Sequence, residues 1–277
     1  MENMLALDMV EPVECIPLIK WPGGKRALLS HILPLIPRVS GRYFEPFVGG
    51  GAVFFAHLPA NALLSDNNAE LINCYSQVRD NPAKVIAYLS KLKNTKEDYY
   101  RIREDIPTEP VSRAGRLIYL TTLAFNGIHR LNLTGQFNVP YGHKTHLNPC
   151  PKEKILAVSQ ALKSATLIAC DFAKAVSKAK KGDIVYMDPP YTVAHQNNGF
   201  IKYNSKIFSW DDQIRLADLC VNLSKRGCRV IISNADHPSI HKLYSKFKVK
   251  RVERVSRIAA SGAYRGKITE CIFHNGD

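Results

Sequence analysis

Acidic residues are scarce in this chain, and the marks of several protein classes are missing. The 277 residues hold 24 Asp and Glu against 38 Lys and Arg, a formal charge of +14. From Pro110 to Lys152 no carboxylate occurs, while Arg113, Arg116, Arg130, Lys144 and Lys152 are present. Such a window suits a surface that approaches phosphates, with a buried helix followed by an ordinary polar loop as the alternative. None of the seven cysteines forms a Cys-x-x-Cys pair, and their odd number leaves a disulfide frame incomplete. Inert, reduced thiols in a cytoplasmic protein are therefore expected.

Met1 to Pro17 carry Glu2, Asp8, Glu11 and Glu14 without a Lys or Arg, so no secretory leader is expected there. The uncharged stretch Leu117 to His129 includes Asn126 and two threonines and is too short to span a bilayer, so no membrane partner is expected. His237 with His241, and His143 with His146, lack a neighbouring Cys or a clear third ligand. They read as surface or capping histidines, and no metal is expected. Internal repeats and low-complexity segments are absent.

What remains is an ordinary globular composition, 45% hydrophobic and 22% charged, which excludes a fibre or a disordered basic tail. A charge excess of this size on a folded chain favours nucleic acid ahead of an anionic membrane or an acidic protein. Short apolar runs alternate with helical patterns, the signature of an α/β fold with a parallel sheet. Strands are predicted at Arg42 to Phe47, Ala62 to Ser65, Thr166 to Ala169, Asp183 to Met187 and Arg229 to Ser233. Helices are predicted at Lys25 to Leu35, Glu70 to Arg79 and Gln213 to Lys225, with Gly227 as the stop of the last. The interval from about Pro82 to Lys163 breaks the rhythm and reads as an insertion. The expected division is an acidic leader (1–18), a sheet domain (19–81 and 159–277) and an inserted segment (82–158). Lys242 to Lys267 hold nine Lys or Arg against Glu253 alone, which fits either a phosphate-facing surface or a strand edge protected by lysines.

Two segments carry chemistry. The first, Arg42 to Phe55, is an apolar strand running through Glu45, Pro46 and a Gly49-Gly50-Gly51 triplet into a helical stretch. Glycines there let the backbone approach a bound nucleotide-like ligand, beside unpaired helix N–H groups. Asp66, just after the second strand, stands where such folds put the carboxylate that holds ribose hydroxyls; it also suits a helix N-cap. With no G-x-G-x-x-G and no neighbouring P-loop Gly-Lys-Ser/Thr, nicotinamide and triphosphate ligands are disfavoured.

The second segment is Asp188-Pro189-Pro190-Tyr191 at the end of a strand. An exocyclic amine on a heteroaromatic ring is a poor nucleophile, because its lone pair is delocalised. A carboxylate and a backbone carbonyl that accept its two N–H bonds favour a pyramidal nitrogen with its lone pair aimed outward. Pro189 has a fixed φ and no competing N–H, and Tyr191 can stack on the ring. A purely structural turn is the alternative.

The ordered motifs Lys20-Trp-Pro-Gly-Gly-Lys25, Glu45-Pro-Phe-Val-Gly-Gly-Gly51, Asn126-Gly-Ile-His-Arg-Leu-Asn132, Gly135-Gln-Phe-Asn-Val-Pro-Tyr-Gly142 and Asp188-Pro-Pro-Tyr191 resemble the Dam family of DNA adenine-N6 methyltransferases. The likeness runs from about Ile19 to Phe273. It implies a Rossmann-like methyltransferase sheet with an inserted, mainly helical target-recognition domain, S-adenosylmethionine as donor and double-stranded DNA as partner. It further implies donor contacts from Trp21, Lys25, Asp66 and Asp188, with Asp171 and Phe172 lining the adenine side of the donor pocket. On the DNA side it implies Lys20 on the first guanine of GATC, Arg130 on a guanine and Ile128 with Pro140 on a thymine methyl. Phe125 and Asn126 would brace the duplex where a base leaves, and Asn132 belongs to the same loop.

Three positions depart from the family pattern: Phe125 replaces a common Tyr, Lys144 a nearby aromatic and Gln136 a frequent acid. Arg254, Arg257, Ser261, Arg265 and Lys267 are expected on phosphates. A monomer is expected, since one chain carries donor, target and recognition parts. Methylation of RNA or protein, and a binding module without activity, are the competing readings.

Overall fold

The strands are short runs whose neighbouring residues face opposite sides of a sheet covered on both faces. In a computed structural model describing residues 16–37, 41–132, 134–193, 208–255 and 267–276, they form one seven-stranded sheet. Its strands are β1 (Tyr43–Glu45), β2 (Ala62–Asp66), β3 (Ala165–Ala169), β4 (Ile184–Met187), β5 (Arg229–Ala235), β6 (Lys248–Val255) and β7 (Lys267–His274). The leader up to residue 15 and the predicted phosphate contacts Arg257, Ser261 and Arg265 lie outside the described residues.

The spatial order is β3-β2-β1-β4-β5-β7-β6; the first five strands are mutually parallel, and β7 runs antiparallel to β5 and β6. Every residue of β1 and β4 is buried, as strands covered on both faces require. Tyr43, Leu64 and Tyr186 face one core, under α1 (Leu29–Ile32), α2 (Ala52–His57) and α3 (Ala69–Asp80). Phe44, Leu63 and Val185 face the other. Asp183 fixes the amino edge by accepting from the Arg42 amide at 2.8 Å and the Lys180 amide at 2.9 Å.

All five predicted strands are present. Two more, β6 and β7, complete the sheet. β6 is an edge strand whose Lys248, Lys250 and Arg251 are exposed, so the lysine-protected edge accounts for these positions.

Between β2 and β3 the chain runs through α3, α4 (Pro82–Leu89), α5 (Lys96–Glu104), α6 (Pro110–Leu123), a long loop and α7 (Lys152–Leu162). The α6 helix begins at Pro110, because Glu109 caps the amides of Val111 and Ser112 and Pro110 opens the first turn. Val85, Leu89, Tyr99 and Leu120 join the same buried cluster as Tyr43 and Leu64, so these helices continue the core of the sheet. On the opposite face, α8 (Phe172–Ala175), α9 (Trp210–Lys225) and α10 (Pro238–Leu243) cover β4 and β5. A full capping box between Ser209 and Asp212 starts α9 three residues earlier than expected.

Candidate active site

Strand order reverses between β1 and β4, and an open α/β sheet binds ligands beyond the carboxyl ends of its strands at such a point. The Gly-rich turn follows β1 there, and Asp188 to Tyr191 follow β4. A concavity of about 940 Å³ lined by Gly41, Arg42, His57 and Asp183 sits at the amino ends, away from both turns.

Glu45 closes β1 inside the core, where it accepts from the Tyr43 hydroxyl at 2.7 Å. Burial, with the Asp188 charge adding to it, pushes the Glu45 carboxyl up to about 8, against the opposing hydrogen bonds from Tyr43 and the Phe54 amide. Glu45 is therefore largely protonated at neutral pH. Beyond Pro46 the chain turns sharply, and Gly49 takes φ +46°, where an added Cβ would stand 2.9 Å from Trp21 Cδ1. The Gly49 amide donates to Asp66 Oδ2 at 3.1 Å, the Asn68 amide donates to Oδ1 at 3.0 Å, and the Tyr75 hydroxyl donates to the Gly49 carbonyl at 3.0 Å. Asp66 thus ties the second strand to the Gly-rich turn, and burial raises its carboxyl against those amide bonds. The N-cap of α3 is Asn68, so the cap alternative for Asp66 does not hold.

Phe172 stacks on Phe47 at 5.4 Å, and Phe208 meets Phe47 edge-on at 5.6 Å, giving an apolar wall beside the turn. Asp171 caps α8 through the Ala173 amide and takes a two-pronged contact from Arg215 at 2.9 and 2.8 Å. That guanidinium lowers the Asp171 carboxyl and lies 4.1 Å over the Phe172 ring.

The Asp-Pro-Pro-Tyr turn packs on a buried lysine. Lys25 Nζ stands 2.9 Å from Asp188 Oδ1 and 3.7 Å from Glu270 Oε2, and it donates to the Gly23 carbonyl at 2.7 Å. It also sits 4.8 Å from the centre of the Tyr191 ring, whose hydroxyl donates to Glu270 Oε2 at 2.6 Å. Glu270, on β7, was not foreseen from the sequence. The signal available was a lone acid in the apolar run Ile268 to Phe273.

The loop after α6 is a loose hairpin held by antiparallel bridges, Ala124 with Tyr141 and Leu131 with Phe137. Its residues alternate. Gly127, His129, Phe137, Val139 and Tyr141 are buried, whereas Phe125, Asn126, Arg130, Asn132 and Pro140 are exposed and Ile128 is half-buried. Within this loop, most of the residues predicted to touch DNA thus lie on the exposed side. Arg130 Nε donates to Asn138 Oδ1 at 2.8 Å, and Asn132 Oδ1 accepts from the Thr134 and Gln136 amides, shaping the tip. Asn126 adopts φ +56°, and Phe125 is 54% exposed. On the inner side His129 stacks on Trp21, and a Cβ on Gly127, at φ +66°, would lie 2.6 Å from Lys20 Cδ. Burial, then the nearby Lys144 charge, lowers Lys20, so the two lysines share one neighbourhood.

His237 caps α10 through the Ser239 amide, as expected of a capping histidine. His241, Cys271 and Arg251 all direct donors at Asp236 Oδ1, a self-contained network at the end of β5. Burial raises the Cys271 thiol to about 12, and Cys74 and Cys220 are raised by burial too, which disfavours the reactive thiolate at neutral pH.

A mostly parallel sheet with a Gly-rich turn at its switch point, an acid after the second strand and an Asp-Pro-Pro-Tyr turn across the crevice is consistent with the Rossmann-like methyltransferase class. Residues 21–258 match the model of the D12 class N6 adenine-specific DNA methyltransferases. The chain is 41% identical over 270 residues to a type II methyltransferase, M1.LlaDCHI, of Lactococcus lactis subsp. cremoris, covering 94% of this chain and 95% of that protein. It is 33% identical to the type II methyltransferase M.MjaIII of Methanocaldococcus jannaschii, over 91% of this chain and 96% of that one. It is also 34% identical to a DNA adenine methylase of Haemophilus influenzae, over 92% of each. The chain belongs to the D12 class of N6 adenine-specific DNA methyltransferases, and it is an enzyme acting on DNA. Among the described residues no helix is long and apolar enough to cross a membrane.

Proposed function

We propose that this enzyme transfers a methyl group from S-adenosylmethionine to N6 of adenine in GATC or a closely related site, after rotating the base out of the duplex. The observation that carries the reading is the juxtaposition at the switch point: Asp188 and Lys25 at 2.9 Å on one side, the Gly-rich turn tied to Asp66 on the other.

The crevice fits a nucleoside-bearing donor. Gly49 is open where a side chain would strike Trp21, the carboxylate of Asp66 faces the same turn, and Phe47, Phe172 and Phe208 offer an apolar wall for a purine. Trp21, Lys25, Glu45, Pro46, Gly49, Asp66, Asp171, Phe172 and Asp188 would hold the donor, which when bound supplies an electrophilic methyl on a sulfonium. Asp188 and the Pro189 carbonyl would accept the two N–H bonds of the adenine amine. Pro190 would stiffen the turn, and Tyr191 would stack on the base. Acceleration would come from orientation and preorganised charge, without a strong base.

The alternating loop supports recognition in the major groove, within residues 82–158 as the recognition segment. Arg130, steadied by Asn138, would read a guanine with its two-pronged fork, and Ile128 with Pro140 would meet a thymine methyl. Exposed Phe125 and strained Asn126 would fill the space the flipped base leaves. Asn132 holds the tip that presents them. Lys20 and Lys144 together give the first base a lysine-rich contact in place of the family's aromatic one. Arg254, Arg257, Ser261, Arg265 and Lys267 would bind phosphates, adding affinity without sequence information. A monomer in the cytoplasm suffices for this division of labour.

Asp188→Ala tests the reading. Methyl transfer should vanish while duplex retention in a filter assay stays near wild type; turnover at a tenth of the normal rate or more would refute the role of Asp188.

A further inference from the structure

Glu270 has no part in the roles above, yet its side chain is fully buried. It occupies β7, paired with Ala235 of β5 on one side and Val252 of β6 on the other. A carboxylate taken out of water inside a sheet is costly unless charged or hydrogen-bonded partners meet it. Two partners meet it here, the Tyr191 hydroxyl of the Asp-Pro-Pro-Tyr turn at 2.6 Å and Lys25 Nζ of the opening motif at 3.7 Å, both at Oε2.

We propose that Glu270 is a positioning residue for methyl transfer, fixing the plane of the Tyr191 ring and the place of Lys25 behind Asp188. The inference rests on the reading that Asp188 and Tyr191 hold the target adenine. An O–H donated to a carboxylate is short and strong, and it pins the far end of a side chain that otherwise turns about two bonds. Lys25, 4.8 Å from the same ring, holds its face. The ring is thus held at its edge and its face before any base arrives, which is the preorganisation that a stacking platform needs. The same Glu270 oxygen also draws on Lys25. The ammonium makes its close contact with Asp188 at 2.9 Å while Glu270 lies behind it at 3.7 Å, so the second carboxylate helps hold Lys25 in place beside Asp188.

The test is a double-mutant cycle on single-turnover methyl transfer, with labelled S-adenosylmethionine in excess and unmethylated duplex DNA, using the full chain. The proteins are wild type, Glu270→Gln, Tyr191→Phe and the double variant, with duplex affinity measured for each. Displacements of about 1 Å at a reacting centre cost on the order of 100-fold, so Glu270→Gln should slow transfer about 10- to 100-fold with duplex affinity held within about 3-fold. Removing the Tyr191 hydroxyl should absorb most of that effect, leaving Glu270→Gln at most about 3-fold slower in the Tyr191→Phe background. Independent multiplication of the two losses, or a wild-type rate for Glu270→Gln, would overturn the proposal. Should Glu270→Gln fail to fold, Glu270→Asp keeps the buried charge for Lys25 while withdrawing the oxygen from Tyr191, and a wild-type rate there would overturn it equally. Absence of DNA methylation by the wild-type protein would instead strike the underlying reading.

Discussion

The indole of Trp21 stacks on the imidazole of His129 with ring centroids 4.5 Å apart and planes 21° from parallel. Trp21 also packs against Gly49 of the donor-side turn, and His129 stands one residue before Arg130 on the outward-facing loop. Phe137 closes the joint from the other strand of the hairpin, edge-on at 5.7 Å. A contact between two packed rings therefore sets the distance between the Gly-rich turn and the hairpin loop.

That joint is sensitive to acid. Burial lowers the His129 imidazole to about 4, so the folded protein binds fewer protons than the unfolded chain between about 4 and 6.5. Its contribution is complete above pH 6.5 and is lost as pH falls through 4, amounting to at most ~3 kcal/mol. His129→Phe should keep the stack and remove the sensitivity. Urea unfolding at pH 7.5 and 4.5 checks this: the wild type should lose more stability across the interval than the variant, and equal losses would contradict the assignment.

Glu45 predicts the opposite slope. Its carboxyl is raised from 4.5 to about 8, so the folded state holds more protons than the unfolded chain between those values. The contribution is complete below pH 4.5 and is lost as pH rises through 8. Wild type should therefore lose stability relative to Glu45→Gln on going from pH 5 to pH 9, as read by thermal unfolding. A constant difference between the two proteins would show that Glu45 is ionised throughout.

Arg130→Ala should relax discrimination at one base pair by ~1–3 kcal/mol, read as the ratio of methylation rates on the cognate site and on sites changed at each position. Asn138→Ala, which frees the guanidinium from its 2.8 Å anchor, should lower the same ratio by a smaller factor. A uniform loss across all sites would reassign Arg130 to the phosphate backbone.

Much of this architecture is legible in the chain. Apolar runs bounded by turn residues mark all five parallel strands, and the Asp-Pro-Pro-Tyr turn and Gly triplet announce the two sides of the crevice. The boundaries of α6 and α9 were harder to read, because Glu109 and Ser209 begin helices through side-chain caps ahead of the apolar pattern. The basic run around β6 admits a phosphate-facing surface as readily as a lysine-protected edge, and Glu270 looks like an isolated acid until Tyr191 and Lys25, distant in sequence, converge on it. The stack of His129 on Trp21 is hidden for the same reason. The in-and-out alternation around it, Gly127 to Asn132 and Phe137 to Tyr141, is written in the order of the residues.

The central claim is methylation of adenine N6 within GATC. Transfer from labelled S-adenosylmethionine to unmethylated duplex DNA, with product sites mapped at single-base resolution, tests it directly. Label confined to the adenine of GATC is the predicted result; label at adenines in an unrelated sequence would contradict the specificity read from Arg130, and unmodified adenines throughout would contradict the reaction itself.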